Sequence, residues 1–173
     1  MSKIIEKLKG GDFRSIAKSN EVAKEIKKNP ALFEEVFDAM VGDDELLRIR
    51  AADTLEKVSL RHPEYLEPFK GRLIKEASKI DQKEVRWHVA QMLSYVNLSR
   101  LEKNQVIKIL LKYIDTDTSN IVKVFFMQTL AEFAMKNEGM KLQVIKKIQS
   151  TMKNASPAVL NRGKRLIKLL TKP

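Results

Sequence analysis

Apolar and polar positions recur along this chain in a fixed order. Nine-residue segments of matching pattern begin at Leu47 (LRIRAADTL), Val85 (VRWHVAQML), Val122 (VKVFFMQTL) and, more divergent, Val159 (VLNRGKRLI), at intervals of 38, 37 and 37 residues. Superposed, they hold apolar columns at offsets 0, 4, 8 and 11, which trace one stripe of a helix with about 3.6 residues per turn. The first column is Leu47, Val85, Val122 and Val159; the third is Leu55, Leu93, Leu130 and Ile167; the fourth is Val58, Val96, Phe133 and Leu170. The second column, Ala51, Val89, Phe126 and Gly163, varies in size, as expected where successive units interlock without voids.

A second amphipathic segment precedes each of these helices. The four carry Leu32, Phe33, Val36, Phe37 and Met40; Tyr65, Leu66, Phe69, Leu73 and Ile74; Val106, Ile107, Leu110, Leu111 and Ile114; and Leu142, Val144, Ile145, Ile148 and Met152. Pro30, Pro63 and Pro157 stand where a first-turn proline is tolerated, and Ser99 with Glu102 and Asp81 with Glu84 have capping-box spacing. Pro68 falls inside the second of these segments and predicts a kink there. The pattern predicts an all-α chain of four helix pairs, a right-handed α-α superhelix in which each unit buries its apolar face against its neighbours. The repeats are placed at about 30–61, 62–97, 98–137 and 138–173 of a single domain.

Offset 5 reads Ala52, Ala90, Met127 and then Lys164. Three units can bury that position, and the lysine predicts a polar outer face on a terminal unit, so the stack is expected to end there and the chain to be complete. Residues 1–29 fit the period poorly. Ile4, Ile5 and Leu8 suggest a short helix, Gly10-Gly11 a break, and Phe13 through Ile26 one or two further short helices, together a degenerate N-terminal cap.

Helix pairs of this period, with V-R-x-x-A-A-x-x-L on the second helix, resemble HEAT repeats from about Asn29 to Leu170. The Arg86-Trp87-His88-Val89-Ala90-Gln91 stretch is similar to that of small prokaryotic HEAT proteins without an assigned activity. The resemblance implies a ladder between units, in which an Asp in the turn (Asp43, Asp81, Asp117) meets a basic residue early in the second helix (Arg48, Arg86, Lys123). The fourth unit has Asn154 and Leu160 at these places. It also implies a binding scaffold, a role that the fold alone leaves open as to partner.

Composition narrows the chemistry. No cysteine is present, which removes disulfide and thiol chemistry and suits a reducing cytoplasm. There is no long apolar run, no signal-peptide core, no glycine-rich phosphate loop and no metal-ligand spacing, and only His62 and His88 are available as imidazoles. No cofactor, metal or membrane is expected, and a monomer is favoured. HEAT-like di-iron enzymes use His-Glu pairs on successive inner helices, and this chain has none. The net charge of +11 is uneven: residues 139–173 hold nine basic residues and no acidic one.

Two surfaces follow. The second helix of each unit should line a concave groove, with Arg50, Asp53, Trp87, His88, Gln91, Tyr95, Phe125 and Gln128 as candidate contacts for another protein or peptide. A one-residue rotation of the helices would exchange the buried and exposed sets. Trp87 is read either as a groove anchor or base-stacking platform, or as packed between helices with His88 making a routine hydrogen bond. Lys146, Lys147, Arg162, Lys164, Arg165 and Lys168 form a basic C-terminal patch, read either as a solvated cap or as a surface for nucleic acid or another polyanion. A remote likeness to HEAT-like alkylpurine DNA glycosylases, which use Trp and Asp on a basic concave face, rests on Trp87 with Asp53 alone. The leading expectation is a non-catalytic scaffold for protein–protein interaction.

Overall fold

The computed structural model describes residues 2–10, 12 and 15–172. It is all-α, with no strand among the described residues, and divides into two compact units, Met1–Asn97 and Leu98–Pro173. The division falls at the boundary between the second and third repeats.

The first unit begins with α1 (Lys3–Glu6), whose Ile4 and Ile5 are buried, as is Leu8 just beyond it. Gly10 then turns the chain at φ +78°, a conformation glycine adopts without a Cβ penalty. The predicted helix start at Phe13 lies outside the described residues, and α2 runs Ser19–Lys28. The first repeat is α3 (Leu32–Val41) packed against α4 (Glu45–Ser59), and Phe33, Val36, Phe37 and Met40 of α3 and Ala51, Leu55 and Val58 of α4 are all buried. Asp44 caps α4, accepting from the amides of Leu46 and Leu47 at 3.0 and 2.9 Å. Helix α4 also packs on α2 and on α6 (Lys83–Tyr95), so it is covered on several sides. That accounts for its alanine pair: Ala51 and Ala52 are both fully buried.

The outer segment of the second repeat is broken rather than kinked. It forms 3₁₀ turns at Pro63–Tyr65 and Glu67–Phe69, the six-residue α5 (Lys70–Lys75), and another 3₁₀ turn at Ala77–Lys79. Pro68 lacks an amide hydrogen, and its ring collides with the carbonyl four residues back, which disfavours a continuous α-helix by about 3 kcal/mol. The break drops Phe69 onto the rings of Phe37 and Phe33, with centroids 5.0 and 5.3 Å away. Arg72 then lies over the Phe37 ring at 5.0 Å while pairing with Asp38 at 2.7 Å.

The ladder also differs in its chemistry. Arg48 Nε donates to Gln82 Oε1 at 2.8 Å, and Gln82 Nε2 donates to the Glu45 carbonyl at 3.0 Å. The rung between the first two repeats is therefore Arg48 with Gln82, and Asp43 contributes its main-chain carbonyl at 3.0 Å. Asp81 does not cap α6, whose N-cap is Gln82; it pairs with Arg86 of its own repeat at 2.6 Å. The other predicted box is present: Ser99 and Glu102 exchange both hydrogen bonds at the start of α7.

The second unit consists of α7 (Arg100–Thr116) on α8 (Asn120–Met135) and α9 (Glu138–Thr151) on α10 (Pro157–Leu170), with α8 also packed against α10. Val122, Phe126, Met127, Leu130, Val159, Gly163 and Leu170 are buried, whereas Lys164 is exposed. Pro157 is the first residue of α10, and Ser156 caps it. Gly163 is needed for close approach: a Cβ there would stand 2.4 Å from Met152 Sδ, 2.7 Å from its Cγ and 3.3 Å from Ile148 Cγ2. The second-column phenylalanine that suits α8 thus has no room in α10. Gly163→Phe is expected to cost about 2–3 kcal/mol by overpacking, read as a lower urea midpoint at an unchanged m-value. Gly163→Ala should cost less, because the Met152 side chain can move and alanine favours the helix.

Candidate functional site

On the first unit, residues of α2, α4 and α6 compose one polar face. Three-residue and four-residue spacings along α4 align Asp53, Glu56 and Lys57, and the same geometry along α6 aligns Trp87, His88, Gln91 and Tyr95. All seven are half-buried. Lys57 Nζ reaches Asp53 Oδ2 at 2.6 Å and Asn20 Oδ1 of α2 at 2.8 Å. Tyr95 donates its hydroxyl to Glu56 Oε1 at 2.7 Å, joining α6 to α4. Gln91 Nε2 donates to the Trp87 carbonyl at 3.3 Å, and the Trp87 and His88 rings lie 5.6 Å apart.

Trp87 is therefore neither fully packed nor freely exposed. His88 does not make the expected hydrogen bond: its Nδ1 is buried with no partner among the described residues. Burial pushes the imidazole down to about 4, with Asp53 opposing that shift and Lys57 reinforcing it. Glu56 is moved the other way. Burial raises it above the ordinary carboxylate range, Asp53 adds to the shift, and the Tyr95 hydroxyl and Lys57 partly offset it.

Arg50 is a correction. It was expected to line the groove, but it is fully buried and directed away from solvent. Its Nη1 donates to the Leu8 carbonyl at 2.7 Å, Nε to Ser15 at 3.0 Å and Nη2 to Asp12 at 3.1 Å. The guanidinium gathers the carbonyls of Leu8, Asp12 and Ser15, which fastens these N-terminal residues to α4. Its role is structural.

The second unit has its own polar face on α8 and α10. Phe125 and Gln128 are half-buried. Arg162 Nη1 donates to Gln128 Oε1 at 2.8 Å, and Gln128 Nε2 donates to Glu132 Oε1 at 2.8 Å. The basic patch is divided. Arg162 is engaged in this chain, while Lys164, Arg165 and Lys168 of α10 are exposed. Lys147 pairs with Asp115, and with exposed Lys146 it edges an apolar cleft of about 400 Å³ lined by Ile107, Leu111, Leu130, Met140 and Val144. From Leu98 to Pro173 there are fifteen basic and five acidic residues, so this unit carries nearly all of the net charge.

Among the described residues, no group of three or more His, Cys, Asp or Glu side chains is placed to hold a metal ion, and no helix is long and apolar enough to cross a membrane. The Trp87–Asp53 pair offers no free carboxylate, because Asp53 is held by Lys57 at 2.6 Å and only 15% of its side chain is exposed.

The profile of the HEAT repeat domain family matches residues 12–115, more than half of the chain. The chain belongs to the HEAT-repeat family, and its fold is the helical solenoid of that family. The match includes part of the segment expected to be a degenerate cap. HEAT repeats are in general protein-interaction scaffolds and typically non-catalytic. No curated protein and no solved structure matches the chain.

A pH prediction follows from His88. Its folded value lies below the unfolded one, so its stabilising contribution is complete above 6.5 and is lost as pH falls toward about 4. The loss amounts to about 3 kcal/mol. Glu56 acts oppositely, since a raised carboxyl favours the fold in acid and disfavours it as pH rises through its folded value. Urea unfolding of the wild type and His88→Phe over this range should show the wild type losing more stability by that amount, with the Glu56 contribution cancelling in the difference. Parallel pH profiles would contradict the assignment.

Proposed function

We propose that this protein is a non-catalytic scaffold that binds a polypeptide on the face of α4 and α6 in the first unit. The reading of residues 1–173 as one repeat domain is part of the same proposal. The observation that carries it is the half-exposed pair Trp87 and Tyr95, set beside Asp53, Glu56 and Gln91. Aromatic anchors in partly desolvated surroundings dominate the energetics of protein interfaces, and the Gln91 side-chain amide beside them supplies a polar contact for a partner's main chain. His88 lies under this face with its Nδ1 buried and unpartnered among the described residues, so the face is not packed for stability alone. Phe125 and Gln128 give the second unit a face of similar chemistry.

Selection of a random twelve-residue peptide library on the purified protein tests this. Enriched peptides should lose about thirtyfold in affinity on Trp87→Ala, the scale of a hot-spot truncation near 2 kcal/mol. Selection that is indifferent to both Trp87→Ala and Tyr95→Ala would remove this face from the proposal.

One observation favours a second reading, a nucleic-acid surface on the other unit: Lys164, Arg165 and Lys168 stand exposed on α10 within a strongly basic unit. Phosphate contacts of this kind carry no sequence information and weaken with salt. Titrations of duplex DNA, single-stranded DNA and RNA at several salt concentrations should give a slope of about −0.9 per phosphate contact on duplex DNA. Replacing all three residues by glutamate should abolish binding. Affinity that stays in the millimolar range, or a flat salt profile, would dismiss this reading.

A further inference from the structure

Between the C-terminal halves of α2 and α4, the first unit opens a cleft of about 390 Å³. Lys24 and Lys27 come from α2, Lys57 from α4 and Arg61 from just beyond it, and no carboxylate lines the cleft. In this unit Lys7, Lys9, Lys18, Arg48, Arg72, Lys83 and Arg86 each have a carboxylate partner, as does Lys57 of the cleft, with Asp53. Lys24, Lys27 and Arg61 make no ion pair among the described residues. The Lys57 ammonium is fixed in place by Asn20 at 2.8 Å and Asp53 at 2.6 Å. Leu60 is 58% exposed and also lines the cleft.

Cations on protruding surfaces are screened by water, whereas a concavity with low-dielectric walls concentrates their field. Complementing the helix dipole would account for Lys27 and Lys57, which lie in the last turns of α2 and α4. It does not account for Lys24 or Arg61, and α3, α6, α8 and α9 end without any basic residue in the last turn. Lys24, Lys27 and Arg61, which make no ion pair among the described residues, line one recess beside the already paired Lys57. Three such cations match a compact, doubly charged oxyanion, which ammonium heads meet as point charges and a guanidinium meets with two parallel hydrogen bonds. A nucleic-acid backbone spreads single charges along a track and asks for a stripe instead. We propose that this cleft binds a phosphate monoester, with the exposed Leu60 side chain contacting an apolar group that carries the phosphate.

The test is calorimetry and NMR titration of the full chain at low salt with phenyl phosphate, inorganic phosphate, benzoate and duplex DNA. Phenyl phosphate should bind more tightly than inorganic phosphate or benzoate. Lys24→Ala combined with Arg61→Ala, both exposed positions, should weaken it about tenfold. Leu60→Ser should erase the advantage of phenyl phosphate over inorganic phosphate. Lys164→Ala with Lys168→Ala, and separately Trp87→Ala, should leave it unchanged, which distinguishes this site from the peptide-binding face and from the basic helix α10. Benzoate binding as tightly as phenyl phosphate, retention of affinity without Lys24 and Arg61, or duplex DNA displacing phenyl phosphate from the cleft would each overturn the proposal.

Discussion

A pair of antiparallel amphipathic helices has more apolar surface than its two members can cover between them. The remainder must be buried against a neighbouring pair, and that requirement governs the rest of this structure. Helix α4 meets α2, α3 and α6, and its buried positions include Ala51, Ala52, Leu55 and Val58. Small side chains let neighbours approach closely, and close approach leaves only a narrow polar strip facing outward. Helix α8 in the second unit repeats the logic with larger residues, Phe126, Met127 and Leu130, between α7, α9 and α10.

The same requirement explains where polar groups become costly. Arg50 lies on the buried side of α4, and the carbonyls of Leu8, Asp12 and Ser15 satisfy its guanidinium. His88 and Glu56 lie at the edge of the strip, too deep for full hydration. Burial therefore favours the neutral form of each, and their contributions to stability run in opposite directions with pH. A face that holds such groups beside two half-exposed aromatic rings is not optimised for stability alone, and this is the physical ground for treating it as a binding surface.

Much of the architecture was legible from residue order. The four-column stripe places α4, α6, α8 and α10, and the change at Gly163 and Lys164 marks α10 as different. The Ser99–Glu102 box was readable because a capping box is local, needing only a turn's worth of chain. Less legible were features that depend on two competing local choices. Pro68 by itself predicts a kink in a helix, but Pro63, Pro68 and their neighbours break the segment into short turns that suit the Phe37–Phe69 stack. Asp81 had cap spacing, yet an arginine five residues on offered it a better partner. Among the candidate contacts, Asp53, Trp87, His88, Gln91 and Tyr95 share one face, whereas Arg50 is removed from it. The cationic cleft was missed because Lys24, Lys27 and Arg61 belong to no repeat column, and the lysine spacing on α2 alone describes an ordinary solvated helix face.

Sequence by itself determined the helical class, the period and the uneven charge. Periodicity records which side of each helix avoids water, and that depends on the chain's own side chains. Tertiary structure alone decided whether a given polar residue is spent or available. Arg50 and Arg162 are consumed by a loop and by Gln128, while Lys24 and Arg61 are left facing a shared recess. That distinction depends on the rotation of one helix against another, a matter of a few ångströms that no spacing along the chain encodes.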